Sequence, residues 1–169
     1  VQPRHRGERD RLRRREAVPR RVVLPLDRVK GLVWGGATYE AESGSMGHNV
    51  GRRDAEGWSA DTNADAKGYM LFGPYATGIP TGARTATFRM MVDNNSADQL
   101  AVVRIEVNNH SLGEYVIAKS DVKRTAFSGA MQYQDFALPF NNATAGHELE
   151  FRVYWNDFAY VLIDKVTVR

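Results

Sequence analysis

The chain has 169 residues, 43% of them hydrophobic, which is typical of one globular domain with a buried core. It has no cysteine, which excludes disulfides, a thiolate nucleophile and cysteine ligands for zinc. The net charge of +3 conceals a basic segment, because the first 30 residues hold eleven Lys and Arg against four Asp and Glu. The remainder is acidic overall, so we expect no nucleic-acid partner for the domain. No run approaches the roughly 20 apolar residues of a membrane-spanning helix, so we expect no membrane partner.

Residues 1–36 form an arginine-rich segment, which we separate from a domain at residues 37–169. Segments this dense in charge are usually solvated. Two interpretations stay open: an arm that binds a polyanion, or a linker without a function of its own. Residues 1–30 contain no aromatic side chain that could stack on a nucleic-acid base, which favours the linker.

The first predicted strand covers residues 37–42. It carries Glu40 and Glu42 on one face, because side chains alternate along a strand. A polar stretch with five glycines follows at residues 43–68. Long stretches without periodic structure tend to be functional or disordered. Trp58 lies in the middle of this one, and an indole in such surroundings is a candidate ligand contact.

From residue 69 onward apolar side chains alternate with polar ones, and turn-forming residues separate the runs. The pattern predicts strands at 68–72, 85–92, 100–107, 112–118, 132–140, 149–155 and 160–168. The side chains expected in the core are Ala86, Phe88, Met90, Val92, Ala101, Val103, Ile105, Val107, Phe136, Leu138, Phe140, Leu149, Phe151, Val153 and Trp155. Eight or nine short strands without a 3.6-residue period predict an all-β fold, namely an antiparallel β-sandwich.

Asp164 lies in the last predicted strand, where strict alternation places it on one face with the apolar residues Leu162, Val166 and Val168. A carboxylate in an apolar row needs a partner. If the first and last strands are neighbours, Glu40, Glu42 and Asp164 converge, and such oxygen ligands suit Ca²⁺. The residues therefore predict a structural calcium site. The alternative is two exposed glutamates and an aspartate that pairs with a backbone amide or with Lys165.

Five segments resemble, in order and spacing, the non-catalytic carbohydrate-binding modules of families 6, 35 and 36. They are Tyr39-Glu40-Ala41-Glu42, Gly68-Tyr69-Met70, Gly82-Ala83-Arg84-Thr85-Ala86-Thr87-Phe88-Arg89, Tyr133-Gln134-Asp135-Phe136 and Leu162-Ile163-Asp164-Lys165-Val166-Thr167-Val168. The resemblance covers residues 37–169. It implies a jelly-roll sandwich of the galactose-binding-domain type.

The resemblance also implies two sites. One is the structural calcium, held by Glu40, Glu42 and Asp164. The other is a sugar cleft in which two aromatic rings bind a sugar and an asparagine fixes its hydroxyl groups. By position these residues are Tyr69, Tyr133 and Asn156, with Asp157 as a supporting group and Trp58 and Trp155 as additional platforms. The second ring is usually tryptophan in these families, whereas this chain has tyrosine.

The function that follows is a secreted, monomeric binding module that targets a linked glycoside hydrolase or lyase to a polysaccharide. Xylan and β-glucan are the first expected ligands, and we expect no catalysis. The alternatives are a structural or protein-interaction domain, and a small polysaccharide-cleaving enzyme. Such an enzyme needs two carboxylates across a cleft, and the stretch at 43–68 supplies Asp54, Glu56, Asp61 and Asp65.

Overall fold

The computed structural model describes residues 34–55 and 57–169, and the predicted arm up to residue 33 lies outside the described residues. Eleven strands lie in the described part, with two short 3₁₀ helices at His110–Leu112 and Arg124–Ala126. The strands are β1 (Ala37–Glu40), β2 (Arg52–Asp54), β3 (Gly57–Ala60), β4 (Gly68–Leu71), β5 (Pro74–Ala76), β6 (Gly82–Val92), β7 (Ala101–Asn109), β8 (Tyr115–Lys123), β9 (Gln134–Asn142), β10 (Leu149–Trp155) and β11 (Val161–Val168). Within those residues, no helix has the length and apolar character needed to cross a membrane.

The strands form two antiparallel sheets, which confirms the predicted β-sandwich. The six-stranded sheet has the order β2-β3-β11-β6-β9, and β1 also pairs with β11. The last strand therefore lies at the centre of this sheet. It pairs with β6 along one edge and, along the other, with β3 and then β1. The predicted proximity of the first and last strands is confirmed, because Glu40 lies opposite Lys165.

The five-stranded sheet has the order β4-β10-β7-β8, and β5 also pairs with β10. β10 is its central strand, with β7 along one edge and both β4 and β5 along the other. The stretch predicted as a loop at residues 43–68 contains β2 and β3, which extend the six-stranded sheet. Gly57 permits this pairing, because a Cβ atom there would lie 2.3 Å from the carbonyl oxygen of Ile163.

The core lies between the two sheets and is built from the predicted inward faces. Most of the expected side chains are fully buried, and Phe136 packs against the core while partly exposed. The prediction for Ala101 is wrong: β7 shifts its register between Ala101 and Val103, and Val102 is buried in the core instead. Alternation is a property of the extended backbone, so one apolar face per strand is enough to orient each strand toward the core. Exposure of such a face would forfeit about 25 cal/mol for each Å² of apolar surface.

The predicted face of Asp164 is wrong. The pairing of β11 with β6 shifts by one residue between Ile163 and Lys165, which is a β-bulge. The shift places Ile163 and Val166 in the core and leaves Asp164 on the outer surface of the sheet. A bulge adds one residue to a strand and so interrupts the alternation on which the prediction rested.

Candidate functional site

The outer face of the six-stranded sheet carries an open cavity of about 620 Å³, here called the Tyr133 cavity. Tyr133 directly precedes β9, and its ring lies at one wall. The other lining residues come from β6, β9 and β11 and from the end of the chain: Thr87, Arg89, Asp135, Asp164, Lys165, Thr167 and Arg169. The cavity therefore combines one aromatic ring with hydroxyl, carboxylate and cationic groups.

Arg89 organises the Tyr133 cavity. Its guanidinium lies over the Tyr133 ring, 5.1 Å from the ring centroid, which is a cation–π geometry. The same side chain contacts two carboxylates: its Nε is 3.1 Å from Asp164 Oδ2, and its Nη1 is 3.5 Å from Asp135 Oδ1. Lys165 Nζ lies 3.5 Å from Asp164 Oδ2. Because the Arg89 side chain is 40% exposed, it keeps hydrogen-bonding capacity toward solvent or a ligand.

Tyr160 and Asp54 fix the β2–β3 hairpin beside this region. The Tyr160 hydroxyl donates a hydrogen bond to Asp54 Oδ2 at 2.7 Å. Burial, followed by the hydrogen bond and negative charge of Asp54, raises the pKa of Tyr160 to about 12.

The outer face of the five-stranded sheet carries a smaller cavity of about 170 Å³, here called the Tyr69 cavity. Its lining residues are Asn49, Tyr69, Phe72, Tyr75, Glu114, Glu150 and Arg152. Burial and the neighbouring Glu106 carboxylate raise the pKa of Tyr69. Burial and the Glu150 carboxylate likewise raise the pKa of Tyr75.

Glu106 is the centre of a buried ionic network beside the Tyr69 cavity. The residue is 2% exposed and accepts hydrogen bonds from the Tyr69 hydroxyl at 3.2 Å and from Arg152 Nε at 3.0 Å. Arg104 Nε donates to its other carboxylate oxygen. The Arg152 guanidinium also lies 5.0 Å from the Tyr69 ring centroid. These groups satisfy one another's charges and hydrogen-bonding requirements, as buried charged groups must.

Comparisons with known proteins bear on the fold. No family model and no curated protein matches the chain. The C-terminal family 6 carbohydrate-binding module of LamC, a laminarinase from Zobellia galactanivorans, superposes with a TM-score of 0.54 and 14% identity over 79% of this chain and 98% of that one. The chain has the β-sandwich fold of carbohydrate-binding modules.

Two further solved structures cover similar shares of this fold. The module from Cellvibrio mixtus lichenase 5A in complex with cellotriose has a TM-score of 0.48 and 14% identity over 79% of this chain and 95% of that chain. The K1 cleaved adhesin domain of Lys-gingipain from Porphyromonas gingivalis has a TM-score of 0.46 and 14% identity over 79% of this chain and 97% of that chain. At these identities the likeness concerns the fold alone.

The two predicted sugar-binding rings lie on different sheets of this carbohydrate-binding-module fold. Tyr69 lies on β4 and lines one cavity, whereas Tyr133 precedes β9 and lines the other. The structure therefore does not bring the two rings to one sugar. The two cavities share no lining residue among those described.

The predicted tryptophan platforms are occupied by protein contacts. Trp155 is fully buried in the core, and its Nε1 donates to the carbonyl oxygen of Ala159, so the prediction of a ligand platform is wrong. Trp58 is half-buried, and His48 stacks on its ring with a centroid separation of 3.5 Å. The Trp58 Nε1 donates to the carbonyl oxygen of Val50 at 2.9 Å.

Asn156 and Asp157 lie in the turn between β10 and β11. The Asn156 side-chain amide donates to the carbonyl oxygen of Ala101 at 2.9 Å, and its backbone N–H donates to Val102. Asn156 thus joins this turn to the start of β7. Asp157 is exposed and has a φ of 64°. A ligand role for either residue stays a prediction.

The two segments that carry the three predicted calcium ligands are adjacent in the fold, but the three carboxylates do not form a compact ligand group. The Ala41 N–H donates to the carbonyl oxygen of Asp164, so the two segments are adjacent. The Asp164 carboxylate pairs with Arg89 and Lys165, while Glu40 lies 3.9 Å from Lys165 Nζ. In residues 34–55 and 57–169, the group of three ligand side chains within 4.8 Å is instead His110, Glu114 and Glu150.

Sequence reasoning missed Arg89 and Asp135 at one cavity and Glu106 and Arg152 at the other, and it named Lys165 only as an alternative partner of Asp164, a contact that the structure shows. Each follows or precedes a core residue in its strand and so faces outward. Alternation therefore predicted their direction. It could not predict their partners, because those lie on neighbouring strands.

Proposed function

We propose that the chain is a non-catalytic carbohydrate-binding module that binds a polysaccharide on the outer face of its six-stranded sheet. The Tyr133 cavity is the observation that carries this proposal. An open groove of about 620 Å³ accommodates part of a polymer without enclosing it. A groove of this kind suits an internal stretch of a chain better than a small closed ligand.

The lining of the cavity matches the two sides of a sugar ring. The C–H face of a sugar packs on an aromatic ring through dispersion and apolar burial, a role for Tyr133 that requires Arg89 to move from its position over the ring. The hydroxyl groups need donors and acceptors, which Arg89, Lys165 and Asp135 supply. The Arg89–Asp135 contact, at 3.5 Å and on exposed side chains, costs little to exchange for sugar hydroxyls.

Xylan and β-glucan are the polymers that we propose first. In this proposal the module is monomeric and secreted, and it holds a linked glycoside hydrolase or lyase against its substrate. The structural likeness to a module that belongs to a laminarinase supports this setting. Because the module is non-catalytic, we expect no release of reducing ends from the bound polymer.

A structural calcium held by Glu40, Glu42 and Asp164 is part of the proposal. Glu42 supports it, because its buried Oε2 has no hydrogen-bond partner among the described residues and a cation would satisfy that oxygen. Asp164 would have to exchange its contacts with Arg89 and Lys165 for the ion. The test is the melting temperature of chelator-treated protein with and without CaCl₂. A rise that Glu42→Gln removes supports the site, and an unchanged melting temperature contradicts it.

The test of the binding function is affinity electrophoresis of the full chain in gels that contain xylan, laminarin, mixed-linkage β-glucan or no polymer. We expect one polymer class to retard the protein and Tyr133→Ala to lose most of that retardation. Tyr115→Ala is the matched control, because Tyr115 is 60% exposed on β8 of the other sheet. Equal retardation of Tyr133→Ala and the wild-type chain would contradict the proposal.

A protein-interaction domain is the second candidate, and one surface favours it. Leu100 and Phe158 are each 46% exposed, and Arg124 joins them because it bonds to the backbone of both residues. Contiguous exposed apolar patches mark protein contacts, and this second proposal takes Leu100 and Phe158 as members of such a patch. If no polymer retards the chain, and Phe158→Ser abolishes capture of a protein partner that the wild-type chain retains, this second function replaces the first.

A further inference from the structure

Three side chains of types that ligate metals lie together at the opposite sheet from the Tyr133 cavity. His110 begins the 3₁₀ helix after β7, Glu114 precedes β8, and Glu150 lies in β10. Their candidate ligand atoms, one from each residue, all lie within 4.8 Å of one another. His110 and Glu114 are exposed, whereas Glu150 is 3% exposed. The group, here called the His110 site, therefore has a fixed buried member and two members that solvent can reach.

The two carboxylates are held in place from behind. Asn108 Nδ2 donates to Glu150 Oε2 at 2.6 Å and to Glu114 Oε2 at 3.1 Å. Arg152 Nη1 donates to Glu114 Oε2 at 2.7 Å. These contacts occupy one oxygen of Glu114 and leave its Oε1 directed at His110 Nδ1, 2.6 Å away. Outer partners that orient ligand carboxylates are a usual feature of protein metal sites.

Asn108 provides a second, independent observation. It is fully buried, its amide nitrogen contacts both carboxylates, and its Oδ1 has no hydrogen-bond partner in the described part of the chain. A buried acceptor without a partner costs about 1–3 kcal/mol. The Nδ2 contacts hold the amide in this orientation, so the buried network beside the three side chains keeps one unsatisfied polar atom within the described residues.

We propose that His110, Glu114 and Glu150 bind a divalent transition-metal ion of the zinc class. One imidazole nitrogen and two carboxylate oxygens are three ligands of the types that Zn²⁺ accepts, and a fourth position stays open to water. The imidazole disfavours Ca²⁺ and Mg²⁺, which take oxygen ligands. Tetrahedral bonds of about 2.0–2.2 Å separate ligand atoms by roughly 3.4 Å. His110 and Glu114 therefore move apart slightly, which their exposed positions permit.

Arg152 is the main competitor of the ion, because it already pairs with Glu114 and lies 3.8 Å from Glu150 Oε2. It does not need to leave. Arg152 also pairs with the buried Glu106, and its contact with Glu114 uses the oxygen that faces away from His110. The ion thus binds Glu114 through Oε1 while Arg152 keeps Oε2. At Glu150 the ion shares Oε2 with Asn108 and Arg152, because that oxygen is also the one near His110. Glu114 and Glu150 also line the Tyr69 cavity, so the bound ion contributes to the wall of that cavity.

The test uses the full chain after treatment with a chelator and dialysis. We expect ZnCl₂ and NiCl₂ to raise the melting temperature, whereas MgCl₂ has no effect. Calorimetric titration should give one bound ion per chain and an affinity that matches the ion concentration at the midpoint of the melting-temperature rise. CoCl₂ should produce the visible absorption of a tetrahedral nitrogen–oxygen site. The absence of a zinc effect in both measurements would overturn the proposal.

Matched variants separate the His110 site from weaker surface binding. His110→Gln and Glu114→Gln change exposed side chains and should each lower zinc affinity at least tenfold. His147→Gln is the control, because His147 contacts the neighbouring Asn109 and lies outside the group. Equal zinc affinity in His110→Gln and His147→Gln would show that the ion binds elsewhere and would overturn the proposal.

Discussion

The outer faces of the two sheets both place arginine beside carboxylates, but they differ in how deeply these groups are buried. On the five-stranded sheet, the side chains of Arg152 and Glu106 are 10% and 3% exposed. On the six-stranded sheet, the side chains of Arg89 and Asp135 are 40% and 58% exposed. The polar groups of the first pair form their hydrogen bonds within the protein, whereas those of the second pair can still form hydrogen bonds with a ligand. The same residue types therefore stabilise the fold on one face and form a candidate binding surface on the other.

The largest expected effect is on the buried pair. Arg152→Met leaves the buried carboxylates of Glu106 and Glu150 with fewer partners, so we expect a loss of about 3 kcal/mol in the free energy of unfolding. Equilibrium unfolding in urea, followed by tryptophan fluorescence, measures this quantity. A loss below about 1 kcal/mol would mean that the network is not structural, and the comparison between the faces would fail.

A smaller effect is expected at the phenol of the same network. Tyr69→Phe removes one hydrogen bond to Glu106, which is worth about 1 kcal/mol of unfolding free energy. Because Tyr69 lies on the other sheet from the Tyr133 cavity, retardation by the bound polymer should not change. A loss of retardation in Tyr69→Phe would instead place the ligand on the five-stranded sheet.

Arg89→Met is the counterpart of Arg152→Met on the exposed face of the six-stranded sheet. Exposed ion pairs contribute about 0–1 kcal/mol, so the free energy of unfolding should change by no more than that. Affinity for the polymer should fall, since Arg89 supplies hydrogen-bond donors to the Tyr133 cavity. Unfolding free energy and gel retardation, measured on one preparation, test both parts. Intact polymer affinity would remove Arg89 from the site.

The smallest expected effect is a loss of stability at acidic pH that arises from His48, at the edge of the six-stranded sheet. Burial lowers the pKa of His48, which stacks on Trp58. The folded state therefore favours the neutral imidazole. Its contribution to stability is present above the ordinary value of 6.5 and is lost as the pH falls below it. Melting temperatures between pH 5 and 8 should show this loss in the wild-type chain and a smaller one in His48→Gln. Parallel curves would contradict the assignment.

The sequence by itself determined the strands and their core faces. The period-two alternation in 85–92 and 149–155 predicted the buried sides of β6 and β10, since the direction of a side chain in a strand depends only on its own backbone. The same reasoning correctly directed Tyr133 away from the core. It also correctly brought the first strand beside the last. Its errors of direction were at Asp164 and Ala101, where shifts in strand register break the alternation.

The tertiary structure decided which of these side chains meet. Tyr69 and Tyr133 both face outward, but β4 belongs to one sheet and β9 to the other, so their rings line separate cavities. Asp164 pairs with Arg89, and Glu150 approaches His110, across gaps of many residues in the chain. Such contacts depend on which strands become neighbours. Strand order depends on the packing of the whole sandwich, and local alternation carries no information about it.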